Sequence, residues 1–481
     1  MIYSSPEFFA LLASTVIAYG AASSQRARFG VLLLSSTLFY AWAGWVDFLI
    51  FELVMLVSWL TVALASEFPA RRKQLITLGI ALIVAHLVTW KYSPWILGFR
   101  WVVPLGISFY TLQKIAYLVD VYRGTAKPIS LRQYLLFNGF FAQLIAGPIT
   151  RASVLIPQLE SLAPLRSSNL RAGAGLFAIG FFKKIVIADN LGVFVDSVFE
   201  HPIEHGRLEL GLAVVAFTSQ LWADFSGYTD MGRGAARIFG IELPENFLSP
   251  FFARGPSEFW RRWHITLTEW IRNYLFIPLW TRHQTALGGG LVLVVTMVLA
   301  GLWHGADWLF VIYGLYWGAL LWAEHRWRQT SVFRSGFVRL PTWMRWVTSV
   351  CLMYSLTVFS RLLFRSGNLD RLREFARAWA LRIDAAPELS LGPVFLLIFF
   401  SFAYQAATYR SIERSSRPLW QIACERWLGS APRRREWMGL AVGAIGIILG
   451  VSLFLAVEPS GTLSSLQSST RPFIYFTERG N

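Results

Sequence analysis

Apolar runs of roughly 15–22 residues recur along almost the whole chain, near positions 7–22, 30–46, 48–65, 75–97, 101–119, 134–149, 172–199, 209–223, 288–303, 308–325, 345–364, 391–408 and 438–457. A hydrocarbon core about 30 Å thick is crossed by about 20 helical residues. In lipid each backbone polar group must be satisfied within the spanning structure, which favours helices. The runs predict an all-α polytopic membrane protein with about ten to twelve transmembrane helices, the short or interrupted runs supplying re-entrant or interfacial helices. No hydrophilic stretch is long enough for a separate domain, so residues 1–481 read as one membrane-embedded domain.

Charge agrees. Only 15% of residues are charged, against about a quarter in soluble domains. The net charge of +16 comes from basic residues placed between apolar runs, which is the positive-inside pattern. No basic domain or nucleic-acid motif accompanies it, so no nucleic-acid partner is expected. Loop 326–345 holds five arginines and no acid, and loop 410–437 sets its arginines, including Arg433–Arg435, against three acids. Both loops are placed in the cytoplasm, the segment 254–283 joins them, and span 438–457 carries the C-terminus to the extracytoplasmic side. Cys351 and Cys424 lie in an apolar run and a basic loop, so no disulfide framework is expected. The run Phe8–Ala22 has no basic residue ahead of it and reads as a retained first helix.

His264 in FWRRWHITLTEW and His304 in GLWHGADW stand in aromatic, bilayer-like sequence. Ionisable residues are costly there and mark function by default, and histidine can take and return a proton near neutral pH. The arm before Trp303 has about 15 residues and rises roughly 22 Å, short of the hydrocarbon thickness. The turn is therefore expected within the membrane, where irregular backbone must line a cavity or be buried in protein. Trp303, His304 and Asp307 then face a funnel. Gly301 and Gly305 would let the backbone turn there. Asp224, Ser226 and Tyr228 in DFSGYTD add polar groups to an apolar span, with Arg233 and Arg237 near as partners for the acids. Arg261, Arg262 and Trp263 form a basic, aromatic interfacial segment suited to a phosphate or an acidic carrier protein. PLGISFY and QLIAGPITR place glycine, proline and polar residues in apolar runs, as broken helices lining a cavity do. LPENF (243–247) reads as a shaped loop returning to the interface. The tail PFIYF, with Phe473 and Tyr475, is an aromatic patch that reads as an interfacial anchor, a docking element or an acyl-accepting site. No Walker A loop, GxSxG, HExxH or CxxC is present.

Together these motifs, with YLVDVYRG and KKIVIADN, resemble the membrane-bound O-acyltransferase family. The likeness extends to its bacterial branch, which serves alginate O-acetylation and D-alanyl transfer to teichoic acids. The resemblance implies a ring of helices around a central funnel, with His304 at the catalytic histidine and His264 at a second one near the cytoplasmic mouth. It implies transfer of an acyl group, acetyl or D-alanyl, from acetyl-CoA or an acyl-carrier-protein thioester toward an extracytoplasmic polysaccharide. No tightly bound cofactor or metal is implied, and an extracytoplasmic esterase-like partner protein is. Arg261, Arg262, Trp263 and Asn273 become the donor side, and Phe473 and Tyr475 the acceptor side. Asn273 departs from the acid that the family often carries there, which puts an acid's role at that position in question. A transporter or flippase without covalent chemistry is the competing class; it would favour internal inverted repeats, and none is visible.

Overall fold

The computed structural model describes residues 1–98, 103–282, 285–335, 337–381 and 391–415. The span 438–457, Phe473 and Tyr475 lie outside the described residues. Among the described residues helices dominate, and the only β pairing is an antiparallel bridge between Phe247 and Trp263.

Local chemistry sets the helix ends. In α1 (Pro6–Ala21) the Ser5 hydroxyl accepts the Phe8 N–H at 3.4 Å, and Pro6 fills a first-turn position that needs no N–H. Ser24 starts α2 (Gln25–Ala41) in the same way. Two long helices follow, α3 (Trp45–Glu67) and α4 (Arg72–Leu97). The run 101–119 is not one helix: α5 (Ile107–Arg123) begins only after Pro104 and Gly106. Gly106 and Gly124 bracket it in left-handed backbone, φ 72° and 77°, a region glycine adopts at little cost. The run 134–149 also breaks. A reciprocal Ser130–Gln133 box caps α6 (Leu131–Gly139), which then gives way to tight turns before α7 (Ala152–Leu159).

A single rod follows, made of α8 (Ser167–Phe182), a π-helical turn (Lys183–Ala188) and α9 (Asp189–Glu200). It lies against α10 (Arg207–Ile238), which continues well past the apolar run ending at 223. Short pieces carry the basic segment: α11 (Pro256–Trp260), α12 (Ile265–Ile271), a π-helical turn (Arg272–Phe276) and α13 (Ile277–Trp280). The hairpin of α14 (Ala286–His304) and α15 (Trp308–Trp327) comes next. Last are α16 (Ser331–Ser335), α17 (Thr342–Ser366), α18 (Leu369–Leu381) and α19 (Leu391–Ser415).

By length and apolar composition, four helices among the described residues can cross a membrane: Trp45–Glu67, Pro69–Ser93, Thr342–Ser366 and Leu391–Arg414. Pro6–Ala21 and Gly288–His304 are shorter apolar helices. Others, such as α10, carry charges that are buried against neighbouring helices.

Two helix pairs pack backbone to backbone. A Cβ on Gly180 would lie 2.5 Å from the Gly227 carbonyl oxygen, and one on Gly234 2.5 Å from the Phe177 nitrogen. These sites join α8 to antiparallel α10. Between α14 and α15, a Cβ on Gly314 would lie 2.5 Å from the Met297 carbonyl oxygen. Small residues at such spots are what lets membrane helices approach closely. Gly301 belongs to this packing and is not a turn residue: α14 runs straight through it to His304.

The apolar interior divides in two. One cluster is built mainly from α1 to α6 and includes Trp303; the other, from α9, α10, α14, α15 and α17 to α19, includes Trp263. The two histidines lie at the seam between these clusters.

Candidate active site

His304 is the last residue of α14 and is 6% exposed. A helix C-terminus leaves carbonyls without intrahelical partners, and α4 supplies them. The Tyr92 hydroxyl donates to the Leu302 oxygen at 2.6 Å, and the Lys91 ammonium donates to the oxygens of Trp303 and, at 2.9 Å, His304. A cation is also favoured at that end of the helix dipole. The Trp303 indole N–H donates to the Ser108 carbonyl at 3.3 Å, tying α14 to α5. Gly305 is extended, and the Asp307 carboxylate accepts the Leu309 N–H at 2.8 Å, capping α15. The structure thus gives Asp307 the role of a helix cap.

The Trp303 ring stands between the two histidines, its centroid 4.9 Å from that of His304 and 6.2 Å from that of His264. Phe364 and Tyr313 close the far side of His304, at 5.3 and 6.1 Å. His264 is 1% exposed, and both its ring nitrogens lack a hydrogen-bond partner among the described residues. Aromatic rings surround it: Phe225 at 4.6 Å, Phe109 at 6.1 Å and Phe247 at 6.5 Å.

The His264 backbone is left-handed, φ 43°, a conformation that costs a non-glycine residue about 1–3 kcal/mol and persists only where surroundings impose it. The LPENF loop imposes it. The Asn246 carbonyl accepts the Ile265 N–H at 3.0 Å, the Asn246 side-chain oxygen accepts the Thr266 hydroxyl at 2.7 Å, and the Leu248 N–H donates to the Arg262 carbonyl at 2.9 Å. Strain held this way is typical of functional positions.

The residues expected on the donor side do not gather in one place. Arg261 is exposed and lines a cavity of about 800 Å³ between α11, α15 and α17. Arg254, Arg328 and Arg345 share that wall, with Glu258 and Glu324 among them. Arg262 points elsewhere: it pairs with Glu258 at 2.8 Å, donates to the Leu248 oxygen at 3.0 Å and lies over the Tyr409 ring. Burial works against charge on Glu258, and hydrogen bonds from Arg254 and Arg262 overcome it, holding the carboxyl below its ordinary range. Trp263 packs inward against Phe247 and Phe259. Asn273 sits in the second π turn and donates to the Glu269 carbonyl at 2.7 Å.

Asp224, Ser226 and Tyr228 belong to a different neighbourhood. Asp224 pairs with Lys184 at 2.8 Å, where the sequence pointed to Arg233 or Arg237. Arg233 pairs with Asp230 at 2.9 Å, as expected for the second acid of the motif, and Arg237 pairs with Glu242. Tyr228 stacks on Tyr3 at 4.3 Å, and Ser226 lines a water-sized space beside Lys183 and Tyr404. Their neighbour Phe225 is the residue that meets His264.

Three contributors escaped the reading of the motifs: Lys91, Tyr92 and Arg361. The rule that singled out the histidines, an ionisable group inside an apolar run, also picks out Lys91 in 75–97 and Arg361 in 345–364.

Comparison with known proteins places the whole chain. Residues 42–362 match the membrane-bound O-acyltransferase family. The chain belongs to that family. A probable alginate O-acetylase of Pseudomonas putida is 35% identical, covering 99% of this chain and 100% of its own. A peptidoglycan O-acetyltransferase of Helicobacter pylori is 36% identical over 56% of this chain and 55% of its own. A teichoic acid D-alanyltransferase of Streptococcus thermophilus is 26% identical over 67% and 83%. The protein is a multi-pass membrane O-acyltransferase, and the two segments with the densest aromatic–histidine pattern, around His264 and His304, both lie within the matched region.

Proposed function

We propose that this acyltransferase passes an acetyl group from a cytoplasmic thioester, acetyl-CoA or an acyl-carrier protein, across the inner membrane for O-acylation of an extracytoplasmic polysaccharide. The observation that carries this reading is the pair of buried histidines flanking Trp303, joined to an alginate O-acetylase relative over the whole chain. His304 serves as general base on the accepting hydroxyl. His264 lies on the segment whose Arg261 lines the basic cavity, and that cavity is the approach for the donor's phosphates. The tail, with Phe473 and Tyr475, docks an extracytoplasmic esterase-like partner.

Transfer of D-alanine is the second reading, supported by the teichoic acid relative. Purified protein in lipid nanodiscs, given acetyl-CoA or a D-alanyl carrier thioester, decides between them by which donor releases its thiol. Release from neither, in a folded preparation, overturns both readings and leaves the transporter. A reporter active only outside the cytoplasm, fused after Asn481, should be active; activity of a cytoplasm-only reporter there overturns the orientation.

A further inference from the structure

Arg361 is 1% exposed towards the C-terminal end of α17 (Thr342–Ser366), a helix long and apolar enough to cross the membrane. Its Nη1 donates to the Tyr313 hydroxyl at 3.2 Å. Its Nε and Nη2 have no hydrogen-bond partner among the described residues, and no carboxylate there pairs with it. One turn along, Arg365 shows the ordinary solution, an ion pair with Asp196 at 2.7 Å. An unpaired buried charge is strongly unfavourable, so Arg361 is held for something else. The rings of Trp263, at 4.3 Å, and Phe259, at 5.7 Å, give cation–π support.

Its place identifies the missing partner. Trp263 precedes His264 in the chain. Tyr313, which takes one Arg361 hydrogen bond, packs on His304 together with Phe364. The group therefore sits between the two histidine segments, with a planar fork suited to an oxygen anion and two N–H directions unused.

We infer that Arg361, steadied by Tyr313 and Trp263, is a catalytic residue that binds the oxyanion formed on the acyl carbonyl during transfer. The inference rests on the acyl-transfer reading for the identity of that anion. The accepting hydroxyl oxygen bonds to the thioester carbon as its proton passes to His304, and the C=O electron pair moves onto oxygen, where Arg361 meets it. On collapse the C=O re-forms, the C–S bond breaks, and the proton returns to the departing thiolate. Removing one such donor lowers kcat by about 10²–10³-fold.

Arg361→Met keeps the length of the side chain and discards the charge. With acetyl-CoA as donor in nanodiscs, kcat should fall about 10²–10³-fold with KM little changed, Arg361→Lys should be intermediate, and the melting temperature should stay equal or rise. A kcat within twofold of the parent, or a lost kcat accompanied by a drop in melting temperature, overturns the inference. A second readout does not depend on turnover. Acetate, a small oxygen anion, should raise the melting temperature of the parent and not of Arg361→Met; no shift in the parent, or the same shift in both, also overturns it. If the parent fails to turn over acetyl-CoA while the acetate effect is lost in Arg361→Met, the acetyl reading fails and the anion site stands.

Discussion

Two regions among the described residues bury charged or polar groups on opposite principles. Between α8, its π turn and α10, each charge has its opposite: Lys183 with Asp230 (2.5 Å), Arg233 with Asp230 and Glu245 (2.9 and 3.2 Å), Lys184 with Asp189 and Asp224 (2.7 and 2.8 Å). At the seam around Trp303, the His264 ring nitrogens and two Arg361 nitrogens are buried without a partner among the described residues. Paired charges fix a fold; a charge left without an opposite at the cost of stability is a candidate for meeting a ligand or a reacting atom.

The contrast is broken most directly by His304→Ala. Acyl transfer should fall about 10²–10⁴-fold, with melting and membrane yield unchanged; full activity in a well-expressed variant removes His304 from the chemistry. The mirror experiment is Lys184→Met, which strands Asp224 and Asp189 and should cost about 3–5 kcal/mol of stability, read as a lowered melting temperature. Partial recovery by Lys184→Met combined with Asp224→Leu would mark that region as structural, whereas a variant with normal melting and lost transfer would place Lys184 in the mechanism. His264→Phe fills the aromatic cage and removes only the nitrogens. It should lower transfer about 10²-fold, the lower end of what acid–base groups contribute, and parental activity would reduce His264 to packing.

The smallest effect sharpens the comparison on the basic face. Arg261→Ala should raise the donor KM a few-fold with kcat held, about 1 kcal/mol of uniform binding. Arg262→Ala leaves Glu258 with Arg254 as its one arginine partner and should show up first in stability. Equal kinetic effects from both would contradict the division the structure makes between them.

The sequence made the histidines and the helical fold legible, because rings and charges stand out in apolar runs; α14, at 19 residues, is longer than the arm of about 15 read there. It misplaced the partner of Asp224 because that partner comes from KKIVIADN, and a π turn spaces Lys184 from Asp189 by five residues where an α-helix would favour three or four. It could not reveal Lys91 and Tyr92 as the caps of α14, since those hydrogen bonds span more than 200 residues. Arg361 was visible as a letter; its lack of an acid becomes visible only when every neighbour is in place. Asn246 was part of a recognisable motif, but its grip on a strained His264 is a property of the folded loop.

The glycine contacts carry a mechanical consequence. Transporters that alternate access rock one bundle against another along a surface where side chains can slide. Where backbone meets backbone, as between α8 and α10 or α14 and α15, there is no such slip plane, and each pair behaves as a single casting. His304 ends one casting, and Phe225 on the other presses against His264. Each histidine is thus held against a helix pair that moves as one body.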